Sequence, residues 1–373
     1  MARRYFPKDV EELVWWYERF ISPISLVAGF LADNFILLKR VDLWRTNALL
    51  FFYLVVCALG IISINMVQSG KVKNQKIVKF SPLIPVVMQF AFGGLLSGYL
   101  SLYSRSASLL ASWVFVVLLA IFLLSNERLT RLYARFTFQI SMYFAVLFSF
   151  FIFFLPVIFL QIGPKMFIFS GLVSLVIISL LLSLLSRLVP QIVKVNITAC
   201  ARSIAIIYVV LNGLYFLNLI PPLPLALKSS GVYHNVVHVP AQAGVPYGTY
   251  ELSGEPLAWY QAFLDYNTVF HESPNDRVYV YSSIFAPSGL TTTVLNQWQQ
   301  YDSATHVWNT TDTVTYPIVG GRDGGYEGYS YTGYLAEGKW RVNVITQYGQ
   351  LIGRVSFTVV AVNSPATTTV TVQ

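Results

Sequence analysis

The sequence predicts a membrane protein in two parts: an N-terminal all-α transmembrane bundle of about seven helices, then a C-terminal all-β sandwich of the immunoglobulin or fibronectin type. Three observations predict it. Of 373 residues, 55% are hydrophobic and only 11% charged, against roughly 25% charged in a soluble domain. The mean hydropathy of +0.59 exceeds what one buried core absorbs at this length, so part of the chain needs lipid as its solvent. The long apolar runs all precede Pro221, whereas alternation of apolar and polar residues with period two dominates after Asp276.

Charge divides the chain the same way. Residues 1–228 carry twenty Lys and Arg against seven Asp and Glu, a net +13, and residues 229–373 carry five against ten, a net −5. The cations of the first part stand between apolar runs. Orientation in a bilayer accounts for them, and no nucleic-acid partner is expected.

A span needs about 20 mostly apolar residues. Runs of that kind lie near Ile21–Leu38, Asn47–Val67, Pro82–Tyr103, Ala107–Leu124, Phe136–Gln161, Met166–Leu185 and Ala199–Ile220. Asp33 and Asn34 interrupt the first, which leaves open whether it fully crosses. Before it, residues 1–20 place Leu13, Trp16, Tyr17 and Phe20 at helical spacing, as an interfacial helix does. That stretch is charged, and no small-residue cleavage site follows it. Loops on the amino-terminal side hold fourteen Lys and Arg and the opposite loops six. The positive-inside rule then puts the amino terminus in the cytoplasm and the β part outside the cell (inner) membrane.

Within the spans, Asp33 is the one acidic residue, and an intramembrane acid is by default a functional candidate. The competing reading pairs it with Lys39 or Arg40 at the outer end of the helix. Gly93, Gly94, Ser97 and Gly98 permit close helix packing. The spans hold no His, so a serine there has no base and intramembrane hydrolysis is unsupported. Cys57 and Cys200 lie in or beside apolar runs and leave the β part without a disulfide.

Pro221-Pro-Leu-Pro224 ends the last span. Residues 221–275 read as a linker and membrane-proximal segment, in which Pro256–Phe263 suggests a short helix. Residues 276–362 read as strands. Trp340, Val342 and Val344 alternate with Arg341 and Asn343; after a turn at Tyr348-Gly349, Leu351, Gly353, Val355, Phe357 and Val359 alternate with Arg354, Ser356 and Thr358. That is a hairpin with one buried face. Arg277–Ala286, Thr291–Asp302, His306–Trp308, Thr313–Ile318 and Tyr329–Tyr334 raise the strand count to seven. The Thr-rich segment 363–373 reads as a frayed tail.

The series Trp298, His306-Val-Trp308, Gly325-Tyr326, Tyr329-Ser330, Gly338-Lys-Trp-Arg-Val342, Tyr348-Gly349 and Gly353-Arg-Val-Ser-Phe357 resembles the bacterial family catalogued as domain of unknown function 2914. Gly29-Phe30, Asp33, Leu37 and Arg40-Val-Asp42 are similar to a membrane segment often joined to that domain. The resemblance implies an envelope β-sandwich and no known reaction. Relatives carry a basic residue before the Tyr-Ser pair where this chain has Glu327-Gly328, so no anion-binding role is carried over to that position.

Candidate chemistry is sparse. His234 and His238 stand four apart, a metal-pair spacing on a helix, but Val239-Pro240 favours extended chain, where four residues span about 13 Å. Asp302, Ser303 and His306 assemble a hydrolytic set only on paper. Gly320-Gly-Arg-Asp-Gly-Gly325 is glycine-rich, yet it opens no helix and reads as a hairpin connection rather than a phosphate loop. Asp323 and Glu327 there have oxygen donors suited to calcium. No cofactor is expected. Tyr329 and Tyr331 share one strand face, and exposed rings so spaced stack on sugars or peptides, although most rings in small sandwiches are core. The leading functional reading is a non-enzymatic binding protein that presents its sandwich to an envelope glycan or a membrane-protein partner. The alternatives are a transporter or channel using Asp33, with the β part as a cap, and an intramembrane enzyme.

Overall fold

The computed structural model describes residues 31, 42–106, 113–126, 132–240, 248–257, 259–261, 266–274, 276–333 and 335–373. The amphipathic stretch 1–20, Asp33 and all of the first predicted span except Leu31 lie outside them. The chain divides into two compact units, a helical one up to Leu223 and a β-rich one from Pro224 to Gln373.

Seven helices are described in the first unit: α1 (Trp44–Gln68), α2 (Gln75–Phe80), α3 (Leu83–Ser106), α4 (Trp113–Asn126), α5 (Phe136–Phe159), α6 (Pro164–Leu188) and α7 (Pro190–Phe216). Five of them, α1, α3, α5, α6 and α7, are long and apolar enough to cross a membrane. The 25 residues of α1 rise about 37 Å at 1.5 Å each, enough for a hydrocarbon core of about 30 Å. α4 has 14 residues; the start of the run predicted at Ala107–Leu124 lies outside the described residues.

Paired contacts give the direction of each helix. Tyr53 of α1 packs on Phe90 and Gly94 of α3, and Gly60 lies on Met88, so these two helices are antiparallel. A Cβ at Gly94 would come within 2.7 Å of the Tyr53 ring; glycine there is what lets α1 approach. Tyr103 on Phe115 and Gln89 with Asn126 make α4 antiparallel to α3. Tyr99 donates to the Val146 carbonyl at 2.7 Å and Tyr103 to that of Ser149, so α5 runs parallel to α3. Thr137–Asn196, Ser141–Ser203 and Phe148–Tyr208 make α7 parallel to α5. Phe167 stacked on Tyr215 makes α6 antiparallel to α7. The six helices other than the short α2 therefore alternate in direction. Lys71, Lys73, Lys76, Lys79, Arg135, Arg187 and Lys194 gather towards one end of this unit, and Arg45 and Lys165 lie at the other.

The last span differs from its prediction. α7 begins at Pro190, nine residues ahead of Ala199, and only Val189 separates it from α6. Arg187, Lys194 and Arg202, expected in a loop, stand on helices. Pro190 occupies the first turn of α7, where its missing N–H costs nothing and its fixed φ suits the helix. The polar residues that lower the local hydropathy have partners: Asn196 and Ser203 meet Thr137 and Ser141 of α5.

Among the described residues the second unit holds eleven strands: β1 (Ala226–Tyr233), β2 (Asn235–Val239), β3 (Thr249–Gly254), β4 (Val269–Glu272), β5 (Val278–Phe285), β6 (Thr291–Asp302), β7 (Val307–Val319), β8 (Tyr326–Thr332), β9 (Gly338–Thr346), β10 (Leu351–Ala361) and β11 (Thr369–Val372). They form sheets ordered β1-β5-β8, β4-β10-β9-β6-β7 and β11-β3-β2. Period two assigns the faces. In β5, Val278 and Val280 join Val232, Trp298, Trp340, Val342, Val355 and Phe357 in the core shared with the five-stranded sheet. Tyr281 points the other way and packs with Tyr233, Val236 and Leu252, with Tyr250 and Tyr279 alongside, against the small sheet. The sheet β1-β5-β8 is thus a middle layer.

Several expectations change here. Residues 221–275, read as a linker, carry β1 to β4; β1 pairs with β5 and β4 pairs in parallel with β10, so strands outside the expected window complete two sheets. The tail is tied down where β11 pairs with β3 and Gln373 exchanges both backbone hydrogen bonds with Tyr250. Val307 and Trp308 join Thr313–Ile318 in one long β7, and His306 falls in the turn before it. The predicted hairpin is β9–β10, with a register shift between Leu351 and Gly353 that buries Ile352 rather than Leu351. The segment Pro256–Phe263 contains a short 3-10 turn at Trp259–Gln261.

Candidate functional site

A partly exposed aromatic surface lies on the face of β8 and β5 that turns away from the five-stranded sheet, beside the small sheet. Tyr331 pairs across the strands with Tyr279, and Tyr329 with Tyr281. Alternation sends Ser330 inward, where it accepts hydrogen bonds from Trp298 Nε1 at 3.1 Å and Asn296 Nδ2 at 3.0 Å. Its two neighbours must therefore face out: Tyr329 is 36% and Tyr331 50% exposed. Tyr279 lies 5.9 Å from Tyr329 and 5.4 Å from Tyr331, centre to centre, and Tyr250 meets Tyr329 edge-on. The Arg277 guanidinium lies 5.3 Å from the centre of the Tyr331 ring. At the other end Glu327 shares the face. Burial raises its carboxyl above the usual range, against the opposing effects of Tyr281, Arg322 and His238. The result is a ledge of rings with a cation at one end and an acid at the other. β8 is also an edge strand of its sheet.

A second assembly joins residues distant in sequence. Glu255, after β3, takes its two oxygens to two histidines: Oε1 lies 3.2 Å from His234 Nε2, and Oε2 lies 2.7 Å from His271 Nδ1. Oε1 also accepts the His271 backbone N–H at 2.6 Å. His234 Nδ1 lies 3.6 Å from Asp276, whose Oδ2 also accepts from the backbone N–H and hydroxyl of Ser273. His234 sits at the β1–β2 corner with its ring stacked on Phe270. Burial alone would raise the Glu255 carboxyl, but the hydrogen bonds from His234 and His271 outweigh it and hold it below its ordinary value. Beside this chain, Glu272 accepts the Leu335 N–H through Oε1, while Oε2 has no partner among the described residues. Its carboxyl is raised by burial, partly offset by that hydrogen bond. Glu272, Asp276 and Arg277 line an open cavity of about 580 Å³.

The sign of the Glu255 shift yields an expected pH dependence. A depressed carboxyl contributes stability above its unfolded-state value, and loses it as pH falls through the folded-state value. Glu255→Gln should cost about 1.5–3 kcal/mol at neutral pH, the range for hydrogen bonds to a charged group. It should also flatten the loss of stability on acidification. Thermal melts of the β unit between neutral and acid pH check both; an unchanged acid slope means another carboxylate sets it.

His234 and His238 do not come together as a pair. Extended backbone separates them, and the His238 ring lies 5.0 Å from that of Tyr250. His234 instead meets His271, through Glu255. Among the described residues no group of three or more His, Cys, Asp or Glu is arranged to hold a metal. His306 bonds Tyr301 at the β6–β7 turn, where Asp302 is taken up by Ala304 and Thr305. Asp33 lies outside the described residues. Sequence reasoning missed Glu255 and Asp276 because only tertiary pairing of β1, β3 and β4 brings them to the histidines. It also passed over neutral amides in the helical unit. There Asn65 donates to Gln139 at 2.7 Å, Gln139 to the Tyr133 carbonyl, Tyr133 to Asn126, and Asn126 to the Gln89 carbonyl at 3.1 Å, all of them buried. Polar braces of this kind hold helices together where lipid offers no partner.

Residues 291–359 match the model of a family described as a protein of unknown function, DUF2914. That region runs from β6 into β10. No curated protein matches. Among solved structures, the alkylpurine DNA glycosylase AlkC of Pseudomonas fluorescens, bound to DNA containing an abasic-site analogue, aligns over 77% of this chain and 82% of its own. The identity is 10% and the TM-score 0.21, a likeness too low to carry an argument.

Proposed function

We propose that this chain is a multi-pass membrane protein that presents its β-rich unit outside the cell (inner) membrane as a binding module, with an envelope glycan or another membrane protein as its ligand. The ledge of Tyr279, Tyr329 and Tyr331 capped by Arg277 carries this reading. Half-exposed tyrosines supply rigid amphipathic contact area at little cost in conformational entropy. The C–H faces of sugars stack on such rings, and the open edge of β8 suits an added peptide strand. Orientation follows from the gathering of Lys71, Lys73, Lys76, Lys79, Arg135, Arg187 and Lys194 towards one end of the helical unit, the cytoplasmic end by the positive-inside rule. In this reading the two facing sheets are a variant of the immunoglobulin-like sandwich, extended by the third, small sheet.

The test is the full chain in detergent, titrated with purified glycan fragments and used to capture partners from membrane extract. Tyr329→Ala with Tyr331→Ala should weaken binding at least tenfold while lowering the melting temperature by only a few degrees, since both rings are substantially exposed. Unfolding of the double variant would make the rings structural and remove the proposed surface. A reporter active only in the cytoplasm should work when fused after Lys79 and fail when fused after Asn363; activity at the second site would overturn the orientation.

A further inference from the structure

We propose a second ligand site: the outer face of the five-stranded sheet binds an anionic polysaccharide, with Arg341 and Arg354 holding its acidic groups. This surface lies on a different sheet from the tyrosine ledge and does not depend on it.

Register builds the site. Arg341 on β9 stands opposite Gln299 on β6 and Ser356 on β10, while Arg354 on β10 stands opposite Asn343. The two arginines are diagonal neighbours, with Cα atoms about 7–8 Å apart for that relation. Each guanidinium spends one donor within the sheet: Arg341 Nε on Gln299 Oε1 at 2.7 Å, and Arg354 Nε on Asn343 Oδ1 at 2.6 Å. Their terminal Nη groups donate to nothing among the described residues, and neither arginine has a carboxylate partner there. This is unusual for guanidinium groups that are half-buried. Burial, and for Arg341 the nearby Arg354 as well, lowers both pKa values, that of Arg341 to about 10. Among the described residues neither finds the counter-ion that would relieve it.

The neighbours indicate the kind of anion. Arg341 lies 4.2 Å from the centre of the Trp308 ring, and Lys339 extends the row of cations over Tyr301 at 5.8 Å. The amides of Gln299 and Asn343 are already ordered by the arginines they accept from, so their geometry is set before a ligand arrives. Planar guanidinium forks pair bidentately with carboxylate or phosphate. Rings and amides beside them fit sugar faces and hydroxyls. The row Arg354, Arg341, Lys339 runs diagonally across two strands and suits a repeating polyanion better than one small ion. The contrast with the net −5 of residues 229–373 makes this face a local cationic patch on an acidic segment.

The full chain in detergent should be titrated by calorimetry with polygalacturonate, with neutral dextran and polyglutamate of matched length, and with phosphatidylglycerol vesicles. Polygalacturonate should bind, more weakly as salt rises, and at least tenfold better than the other three. Arg341→Gln with Arg354→Gln should lower its affinity at least tenfold at an unchanged melting temperature, and Lys339→Gln about twofold. If the double variant is unstable, Arg341→Lys decides: it keeps the charge, loses the fork, and should bind several-fold more weakly. Absence of polygalacturonate binding at low salt, or wild-type affinity in a folded Arg341 variant, overturns the proposal. Equal binding of polyglutamate or of vesicles overturns the assignment to a polysaccharide. The Tyr329 and Tyr331 double variant should bind polygalacturonate normally, so failure of one site is distinguishable from failure of the other.

Discussion

Trp298→Ala should destabilise the β-rich unit by about 3–5 kcal/mol, the range for emptying a fully packed aromatic position. Trp298 is wholly buried on β6, an inner strand of the five-stranded sheet. Its ring meets Phe357 edge-on at 6.4 Å, and its Nε1 donates to Ser330 across the core. Alanine removes the packing and one of the two donors to Ser330 Oγ, and leaves a space the other sheet cannot close. Trp298→Phe keeps most of the volume and loses the hydrogen bond, so it should cost less, on the order of 1–2 kcal/mol. Trp340→Ala and Phe357→Ala should fall in the range of the first change. Arg354→Ala on the outer face should cost under about 1 kcal/mol. Urea or thermal unfolding followed through the β unit's own transition measures all five. Equal losses at Trp298 and Arg354 would mean that the faces of the sheet are misassigned.

Gly320→Ala should be the most damaging small change in the glycine-rich loop, costing about 1–3 kcal/mol as an overpacking clash. A methyl group there falls on the Pro287 carbonyl oxygen, with the Ala286 oxygen 2.8 Å away. Neither neighbour yields easily, because Gly320 N–H donates to the Leu290 carbonyl and Gly321 N–H to that of Ala286, which fix the loop against the β5–β6 turn. Gly325 is constrained for a second reason: its φ of +101° is one that L side chains rarely adopt. Gly324 has open space and no such φ, so Gly324→Ala should change stability by less than about 0.5 kcal/mol. The same hydrogen bonds answer the phosphate-loop question. The N–H groups of Gly320, Gly321 and Gly325 are spent inside the protein, so they are not turned outward as an anion cradle. Melting of Gly320→Ala and Gly324→Ala side by side checks this, and equal stability of the two would refute the close-approach account.

What the sequence by itself determined is whatever depends on composition and period. Twenty-odd apolar residues in a row can satisfy their backbone in lipid only as a helix, so the runs from Asn47 to Leu185 appear as helices near their expected places. Alternation over Trp340–Val344 and Val355–Val359 has one solution with a buried face, and those residues are buried. The same rule turned Tyr329 and Tyr331 outward together, because they flank Ser330. Tertiary structure decided the rest, because it depends on partners distant in sequence. Hydropathy falls at Lys194 and Asn196, yet the helix runs through them, since Asn196 finds Thr137 on a neighbouring helix. The short strands β1 to β4 lack a legible period; β1 and β4 form because the edges of β5 and β10 offer them hydrogen bonds, and β2 and β3 because they pair with each other. Glu255 becomes the anchor of His234 and His271 only when β3 and β4 are in place. Arg341 and Arg354 are surface cations in any linear reading. It is the register of β9 on β10 that sets them side by side, half-buried and without a counter-ion among the described residues.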